Sequence, residues 1–144
     1  MKTFLIGILV VFTLTPEWLT NLDSAKETAQ KEHKYILLNF SGSDWCAPCI
    51  KLKQEVFGNE TFENLAQDKL VLLRADFPRQ KKNQLSKEQT AHNEMLAEKY
   101  NPAGKFPYTV LLSADGKVIK SWDGYVFATQ DKFIEELKLA IPSN

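Results

Sequence analysis

The sequence predicts an α/β fold in which a central mixed β-sheet is flanked by helices. Short apolar segments rich in strand-forming residues alternate with longer segments whose apolar residues have helical spacing. Near the C-terminus, an Asp-Gly turn signal separates two strand-like segments, 109–112 and 118–122, which indicates an antiparallel hairpin. With 144 residues, of which 44% are hydrophobic, the chain can build one ordinary domain with a substantial core.

Capping residues and apolar spacing predict the helices. The predicted helices span about 20–32, 47–57, 61–67, 86–100 and 130–141. Thr20 or Asn21 can cap the first helix, Ser86 begins a capping box with Gln89, and Thr129 caps the last helix. A Gly-Asn pair interrupts the chain between the second helix and the short third one.

Two strands are predicted in the interior of the sheet. Tyr35–Phe40 is apolar on both faces, as in a central strand covered by helices, and Leu70–Asp76 ends at a Phe-Pro pair. Asn39 is the odd residue of the first strand. A buried amide must find hydrogen-bond partners, and its position just upstream of two cysteines suggests that it lies beneath them.

The only two cysteines of the chain, Cys46 and Cys49, lie where the first of these strands gives way to a helix. A thiol reacts as a thiolate, and the free N–H groups and the dipole of a first helical turn stabilise that charge. Two intervening residues let the second thiol reach the first, and Pro48 fits the first turn, where no N–H is needed. Cys46 is therefore predicted to be the attacking thiol and Cys49 the resolving thiol of a redox-active pair.

Two other uses of the cysteine pair stay open. A purely structural disulfide is one, although the short loop that it closes would contribute little stability. A zinc site is the other, but zinc needs about four ligands. The chain offers only His33 and His92 as further soft ligands. His33 is expected at a solvated helix end and His92 at an exposed position within a helix.

The charge balance limits the classes of partner. Lys and Arg together number 18, as do Asp and Glu, so the chain has no net charge. This balance argues against a nucleic-acid groove or an anionic membrane surface as the main partner. The local exception is the basic loop 79–84, which is predicted to be solvated surface, with docking of an acidic partner as the alternative.

Residues 1–16 differ in kind from the rest of the chain. Lys2 precedes an uncharged apolar segment that is too short to span a bilayer comfortably, a pattern typical of a secretory signal peptide. The cleavage signal is weak, so an uncleaved membrane anchor or a buried first helix stays open. Export is favoured. It assigns residues 17–144 to the mature domain and places the dithiol in an oxidising compartment, periplasmic or secreted, or tethered to the membrane if the segment is not cleaved.

The order of elements, together with the segments 44–49 (Asp-Trp-Cys-Ala-Pro-Cys) and 106–109 (Phe-Pro-Tyr-Thr), resembles the thioredoxin superfamily. The resemblance is greatest to exported bacterial thioredoxin-like proteins related to thiol–disulfide interchange proteins. It covers nearly everything after the signal segment, and it implies a thioredoxin-like fold for residues 17–144.

The resemblance also implies roles for individual residues. Pro107 would be a cis-proline that faces the cysteines, and Phe106 would offer backbone hydrogen bonds to a bound peptide. Trp45 would flank the dithiol as a contact surface. Ala47 and Pro48 would tune the redox potential, because the residues between the cysteines set how well the thiolate is stabilised.

Three features depart from the superfamily pattern. Asn39 stands where thioredoxins carry a buried aspartate. The proton of the resolving thiol must therefore go to water or to the carboxylate of another acidic residue. Asp44 is a candidate for that second role, but a solvated surface acid is the favoured interpretation, because a carboxylate near the attacking thiol would oppose thiolate formation. The residues 41–43 occupy the region where a tryptophan is usual, and the segment 77–105 is longer than in a minimal thioredoxin.

The sequence therefore predicts an exported thiol–disulfide oxidoreductase that reduces disulfides in partner proteins through its Cys-Ala-Pro-Cys dithiol. A disulfide oxidase or isomerase is the alternative of the same class, and a non-catalytic binding or metal-handling module is the alternative of another class. No metal or organic cofactor is predicted beyond the redox-active cysteine pair. Electrons would come from another dithiol protein, such as a membrane-embedded donor. The protein is expected to be a monomer.

Overall fold

A computed structural model describes residues 15–126 and 129–143. Five strands form one mixed sheet: β1 (Trp18–Leu19), β2 (Tyr35–Ser41), β3 (Leu70–Asp76), β4 (Tyr108–Leu112) and β5 (Val118–Asp123). Their order across the sheet is β1-β3-β2-β4-β5. β3 pairs in parallel with β1 and β2, whereas β4 pairs antiparallel with β2 and β5. The predicted mixed sheet is confirmed, and β2 is its central strand.

Helices cover both faces of the sheet. They are α1 (Leu22–Glu32), α2 (Ala47–Leu52), α3 (Glu60–Lys69), α4 (Lys87–Tyr100) and α5 (Gln130–Ala140). A π-helical turn, Lys53–Phe57, continues α2, and a 3-10 turn, Lys81–Asn83, lies in the basic loop 79–84. The Gly-Asn pair ends the π-helical turn as predicted, and Asn59 caps α3 by accepting a hydrogen bond from the N–H of Thr61 at 2.8 Å.

Two apolar clusters, one on each face of the sheet, form the core. α1 and α4 cover the face to which β2 contributes Ile36, Leu38 and Phe40. The π-helical turn, α2, α3 and α5 cover the opposite face, to which β2 contributes Leu37. Burying one such side chain stabilises the fold by about 1.5–3 kcal/mol. Because successive residues of a strand point to opposite faces and both faces are covered, β2 is apolar along most of its length.

The interior face of α4 differs from the prediction. Apolar periodicity predicts that Met95, Leu96 and Tyr100 face the core; Leu96 and Tyr100 are buried as predicted, but Met95 is 42% exposed. Asn93 is buried instead, because its side-chain amide donates a hydrogen bond at 2.8 Å to the carbonyl oxygen at the end of β3. His92 is half-buried rather than exposed, since its Nε2 accepts a hydrogen bond at 3.1 Å from the N–H of Leu22. Polar contacts to neighbouring elements thus set the orientation of α4.

The predicted helix caps are confirmed in part. The Asn21 side chain accepts a hydrogen bond from the N–H of Ser24 at 2.9 Å, and the Ser86 hydroxyl accepts one from the N–H of Gln89 at 3.1 Å. The side-chain amide of Gln89 donates instead to the carbonyl oxygen of Thr20 at 2.9 Å and to the side-chain oxygen of Asn93, within the same helix, at 2.8 Å. Thr129 occupies the N-cap position of α5, but its hydroxyl donates to the preceding turn instead of capping the helix.

The predicted signal segment, residues 1–16, lies almost wholly outside the described residues. Across 15–126 and 129–143, no helix combines the length and the apolar character that crossing a membrane requires. The division of the chain at residue 16 therefore stays a prediction.

Candidate active site

The turn between β2 and α2 positions the two cysteines. Cys46 is the N-cap residue of α2, and Cys49 lies in the first turn of that helix. The carbonyl oxygen of Gly42 accepts hydrogen bonds from the N–H groups of Trp45 at 3.2 Å and Cys46 at 2.9 Å, which closes the turn. Pro48 lies within the first two helical positions, where its missing N–H costs no hydrogen bond. The predicted position of the pair between strand and helix is confirmed.

Cys46 and Cys49 form a disulfide with their Cα atoms 5.2 Å apart, and both residues are buried. The Sγ of Cys46 accepts a hydrogen bond from the N–H of Cys49 at 3.3 Å, and the Sγ of Cys49 accepts one from the N–H of Gly42 at 3.5 Å. N–H groups directed at a sulfur favour its thiolate over its thiol after reduction. Cys46 also lies at the positive end of α2, which is consistent with an attacking role.

Gly42 is a residue of the site that the sequence marked only as part of an unusual segment. A Cβ atom built on Gly42 would lie 2.3 Å from Cε2 of Trp45, so the indole can pack across the turn only because this residue has no side chain. Gly42 also uses both of its backbone polar groups at the site, one toward the turn and one toward the sulfur of Cys49.

Asn39 is buried in β2 on the face that α2 covers, with 2% of its surface exposed. Its side-chain amide donates a hydrogen bond at 3.1 Å to the hydroxyl of Thr109, which is its partner across the β2–β4 ladder. The expected burial of Asn39 and its need for a partner are confirmed. Thr109 was not singled out from the sequence, because the partner of a buried amide lies 70 residues away in the chain.

Arg74 is the neighbour of Asn39 in the β2–β3 register, and it is the basic residue of β3, a strand whose other charged residue is Asp76. Its guanidinium carbon lies 4.1 Å from the centroid of the Trp18 ring, and its Nε is buried without a hydrogen-bond partner among the residues that the structure describes. Burial lowers the pKa of Arg74, and the Asp76 carboxylate partly offsets that effect. A half-buried cation therefore lies on the same face of the sheet as Asn39.

Asp44 holds the chain that follows β3. Its carboxylate accepts hydrogen bonds from the N–H groups of Arg79 and Gln80, each at 2.9 Å, and from the side-chain amide of Asn83 at 3.0 Å. The N–H of Arg79 is the largest cause that lowers the pKa of Asp44 below its ordinary value. Asp44 is thus a surface carboxylate onto which the basic loop 79–84 folds back. Its role toward Cys49 stays untested.

Three aromatic side chains, Trp45, Phe77 and Phe106, form an aromatic rim beside the disulfide. The ring of Phe106 packs edge-on against the rings of Trp45 and Phe77, with both centroid distances 5.4 Å. The indole N–H of Trp45 donates a hydrogen bond at 2.7 Å to the carbonyl oxygen of Phe77. The guanidinium of Arg79 lies 3.6 Å above the indole. Trp45 therefore flanks the cysteines, as the resemblance implied.

The peptide bond between Phe106 and Pro107 is cis, which confirms the state that the resemblance implied for Pro107. The carbonyl oxygen of Pro107 accepts a hydrogen bond from the N–H of Gly124 at 2.9 Å, and the Phe106 ring belongs to the aromatic rim. Backbone binding of a peptide by Phe106 stays a prediction. Ala47 and Pro48 are exposed at the mouth of the site, where a partner protein can touch them.

The two histidines do not gather around the cysteines. His33 ends α1 with a left-handed backbone (φ 55°) just before β2 begins, whereas the cysteines follow the other end of β2. His92 is engaged with the N–H of Leu22. Within the part of the chain that the structure describes, no three His, Cys, Asp or Glu side chains lie close enough together to hold a metal ion.

The fold and the disulfide at the start of α2 define a thiol–disulfide protein of the thioredoxin superfamily. A family model described as a thioredoxin-like domain matches residues 22–141, and the chain belongs to this family. The resemblance to the thioredoxin superfamily in the Cys-Ala-Pro-Cys and Phe-Pro-Tyr-Thr segments is therefore confirmed, and so is the thioredoxin-like fold.

Among curated proteins, the chain is similar to disulfide bond reductase DsbH of Chlamydia pneumoniae, with 38% identity over 93 residues that make up 65% of this chain and 54% of DsbH. It is also similar to the thioredoxin-related protein DsbJ of Chlamydia pneumoniae, with 30% identity over 42% of this chain and 17% of DsbJ. The chain thus matches about half of DsbH and a smaller part of DsbJ. The predicted enzyme class, protein-disulfide oxidoreductase, agrees with the name of the first relative.

Solved structures that are similar to this chain support the same family. A structure titled DsbH oxidoreductase has a TM-score of 0.77 and 26% identity, and the match covers 98% of this chain and 94% of that chain. The reduced C-terminal domain of Neisseria meningitidis DsbD has a TM-score of 0.57 and 27% identity over 83% of this chain and 93% of that domain. A disulphide isomerase from Xylella fastidiosa, at 20% identity and a TM-score of 0.59, supports the fold alone.

Proposed function

We propose that the protein is an exported thiol–disulfide oxidoreductase that reduces disulfide bonds in partner proteins through Cys46 and Cys49. The observation that carries the proposal is the disulfide at the N-terminus of α2, with a backbone N–H directed at the sulfur of Cys46. The name of the similar protein DsbH, a disulfide bond reductase, supports the reducing direction.

The proposed reaction has two exchange steps. In the reduced protein, the Cys46 thiolate attacks one sulfur of a partner disulfide; that S–S bond breaks, the second partner sulfur leaves as a thiolate and takes up a proton, and a mixed disulfide forms. The Cys49 thiolate then attacks the sulfur of Cys46, and the partner leaves as a dithiol. The partner gains two electrons, and the protein is left with the Cys46–Cys49 disulfide, which another dithiol protein must reduce.

The second step requires that Cys49 lose its proton. Asn39, the buried polar side chain of β2 on the face that α2 covers, is an amide and does not accept that proton near neutral pH. Water that reaches the opened site is therefore the proposed proton acceptor. The half-buried Arg74 cation on the same face favours the negative charge that develops on the sulfur.

The proposal also covers the export of the protein, its location and its partners. The apolar segment after Lys2 supports export to a periplasmic or extracellular compartment, where partner disulfides persist. The electron donor would be a dithiol protein, and a membrane-embedded one suits that compartment. The protein itself would act as a monomer without a metal or an organic cofactor, since the cysteine pair carries both electrons.

The test measures reduction of the substrate disulfide and accumulation of the mixed disulfide separately. Residues 17–144 are reduced, freed of reductant and mixed with a protein substrate that has an accessible disulfide. Wild type should reduce it, C49A should accumulate a mixed disulfide through Cys46, and C46A should do neither. Exchange that runs only toward substrate oxidation would reverse the proposed direction, and no exchange at all would favour a non-catalytic binding module.

A further inference from the structure

The basic loop 79–84 is a fixed surface beside the cysteines. Its charged residues are Arg79, Lys81 and Lys82, with no Asp or Glu among them, and all three are exposed. Across 15–126 and 129–143, none of the three forms an ion pair. A charged loop that is only solvated needs no defined conformation, so the bonds that fix this one call for an explanation.

The loop is held by hydrogen bonds of its backbone and of two amide side chains, and none of these bonds uses the charged groups of Arg79, Lys81 or Lys82. The Asp44 carboxylate accepts hydrogen bonds from two loop N–H groups and from the side chain of Asn83. The side chain of Gln80 donates in return to the carbonyl oxygen of Asp44 at 3.2 Å. Because Asp44 stands two residues before Cys46, this bonding sets the loop next to the attacking sulfur.

Arg79 is a loop cation that contacts the aromatic rim directly. Its guanidinium stacks 3.6 Å above the indole of Trp45, the residue that precedes Cys46. A cation over an indole face is held by electrostatic attraction, and stacking uses the flat face of the guanidinium. The N–H groups at its edge remain able to bind a carboxylate in a bidentate manner.

We propose that Arg79, with Lys81 and Lys82, forms a docking surface for an acidic segment that flanks the disulfide of the partner protein. This inference rests on the proposed function. A carboxylate next to a disulfide repels the attacking thiolate and slows exchange. The fixed cations bind that carboxylate, orient the partner cysteine over Cys46 and offset the repulsion. Disulfides with acidic flanks are then the preferred substrates of the Cys46 thiolate.

The test compares two peptide disulfides that differ only in the residues next to one cysteine, Glu in one peptide and Lys in the other. Single-turnover reduction by pre-reduced protein removes the electron donor from the experiment. Wild type at low salt should reduce the Glu peptide about five- to tenfold faster than the Lys peptide, in the range by which charge steering changes association rates. High salt should shrink this ratio.

Substitutions in the basic loop 79–84 test whether this loop causes the preference for the Glu peptide. R79Q should lower the ratio, and R79Q/K81Q/K82Q should bring it to one or below, because the repulsion between the Glu carboxylate and the thiolate is then no longer offset, while the Lys peptide is still reduced. K138Q is the matched control for R79Q, because Lys138 is an exposed lysine of α5 near the opposite end of β2 and its loss removes one positive charge, as R79Q does. K138Q should keep the wild-type ratio.

The outcomes separate this inference from the proposed function. Equal rates with both peptides in wild type, or a preference that persists in R79Q/K81Q/K82Q, would overturn the docking surface while leaving the exchange activity intact. Binding of the loop to anionic lipid vesicles, with no peptide preference, would also overturn it. Failure to reduce either peptide would overturn the proposed function itself.

Discussion

Replacing Asn39 by aspartate tests whether this buried position of β2 excludes water as its 2% exposure indicates. N39D keeps the shape of the side chain, and the Thr109 hydroxyl can turn to donate to the new carboxylate. The residue is only 2% exposed, so ionisation of the introduced carboxyl loses hydration. Its folded-state pKa should therefore rise above the ordinary value of about 3.9, by roughly 2–3 units once the nearby Arg74 cation is allowed for.

This rise fixes both the size and the sign of the stability change. Each pKa unit corresponds to about 1.36 kcal/mol, so the ionised state costs about 3–4 kcal/mol of folding free energy. At pH 4 about half of the unfolded chains carry the ionised carboxyl, so N39D should be only about 0.5 kcal/mol less stable than wild type, and below about pH 3 this difference vanishes. As the pH rises, the unfolded chain ionises first, stability is lost progressively, and the loss is complete above the raised pKa.

Urea unfolding of oxidised wild type and N39D between pH 4 and pH 8 measures this difference. The same variant places a proton acceptor on the face of β2 that α2 covers, so we expect resolution of the mixed disulfide to become faster and to acquire a pH dependence at the raised pKa. A stability difference that stays constant across this pH range would refute the reasoning, since it would mean that the carboxyl is hydrated in the folded protein.

Three further changes test individual contacts. T109V keeps the side-chain volume but leaves a buried amide unpaired, and urea unfolding should show a loss of about 1–3 kcal/mol, against a smaller loss in T109S, which keeps the hydroxyl. G42A places a methyl group within the Trp45 ring and should cost about 1–3 kcal/mol with a change in tryptophan fluorescence; an unaltered spectrum would contradict the close approach. The pKa of Asp44 is lowered in the folded protein, so its hold on the basic loop should persist above the unfolded pKa and weaken as the pH falls through the folded one. D44N should expose the basic loop to trypsin at neutral pH, whereas D115N, which removes another hydrogen-bonded carboxylate, should not.

Features that depend on neighbouring residues were predictable from the sequence. The apolar run Tyr35–Phe40 indicated a strand covered on both faces, and it is the central strand of the sheet. Cys46 lies at the start of a helix as its position predicted, and Asn39 is buried because a lone amide in such a strand has no exposed face. The cis state of Pro107 came from the resemblance, since local sequence favours the trans state.

Features that depend on distant residues were missed. Asp44 and Arg79 are 35 residues apart, and no local pattern indicates that a carboxylate before one helix binds the loop after another strand. Periodicity placed Met95 in the core because it counts apolar residues, whereas the orientation of α4 follows polar contacts of His92 and Asn93. Short β1 gave no strand signal, since two residues cannot show alternation.

The reduction potential of the Cys46–Cys49 pair tests the proposed direction of exchange most directly. Residues 17–144 would be equilibrated in glutathione or dithiothreitol buffers of known potential, and the reduced fraction would be measured by thiol trapping. The account predicts a potential near or below that of thioredoxin, about −270 mV, as a protein that supplies electrons to partner disulfides requires. A potential near that of a strong disulfide donor, about −120 mV, would contradict it and make the protein an oxidase.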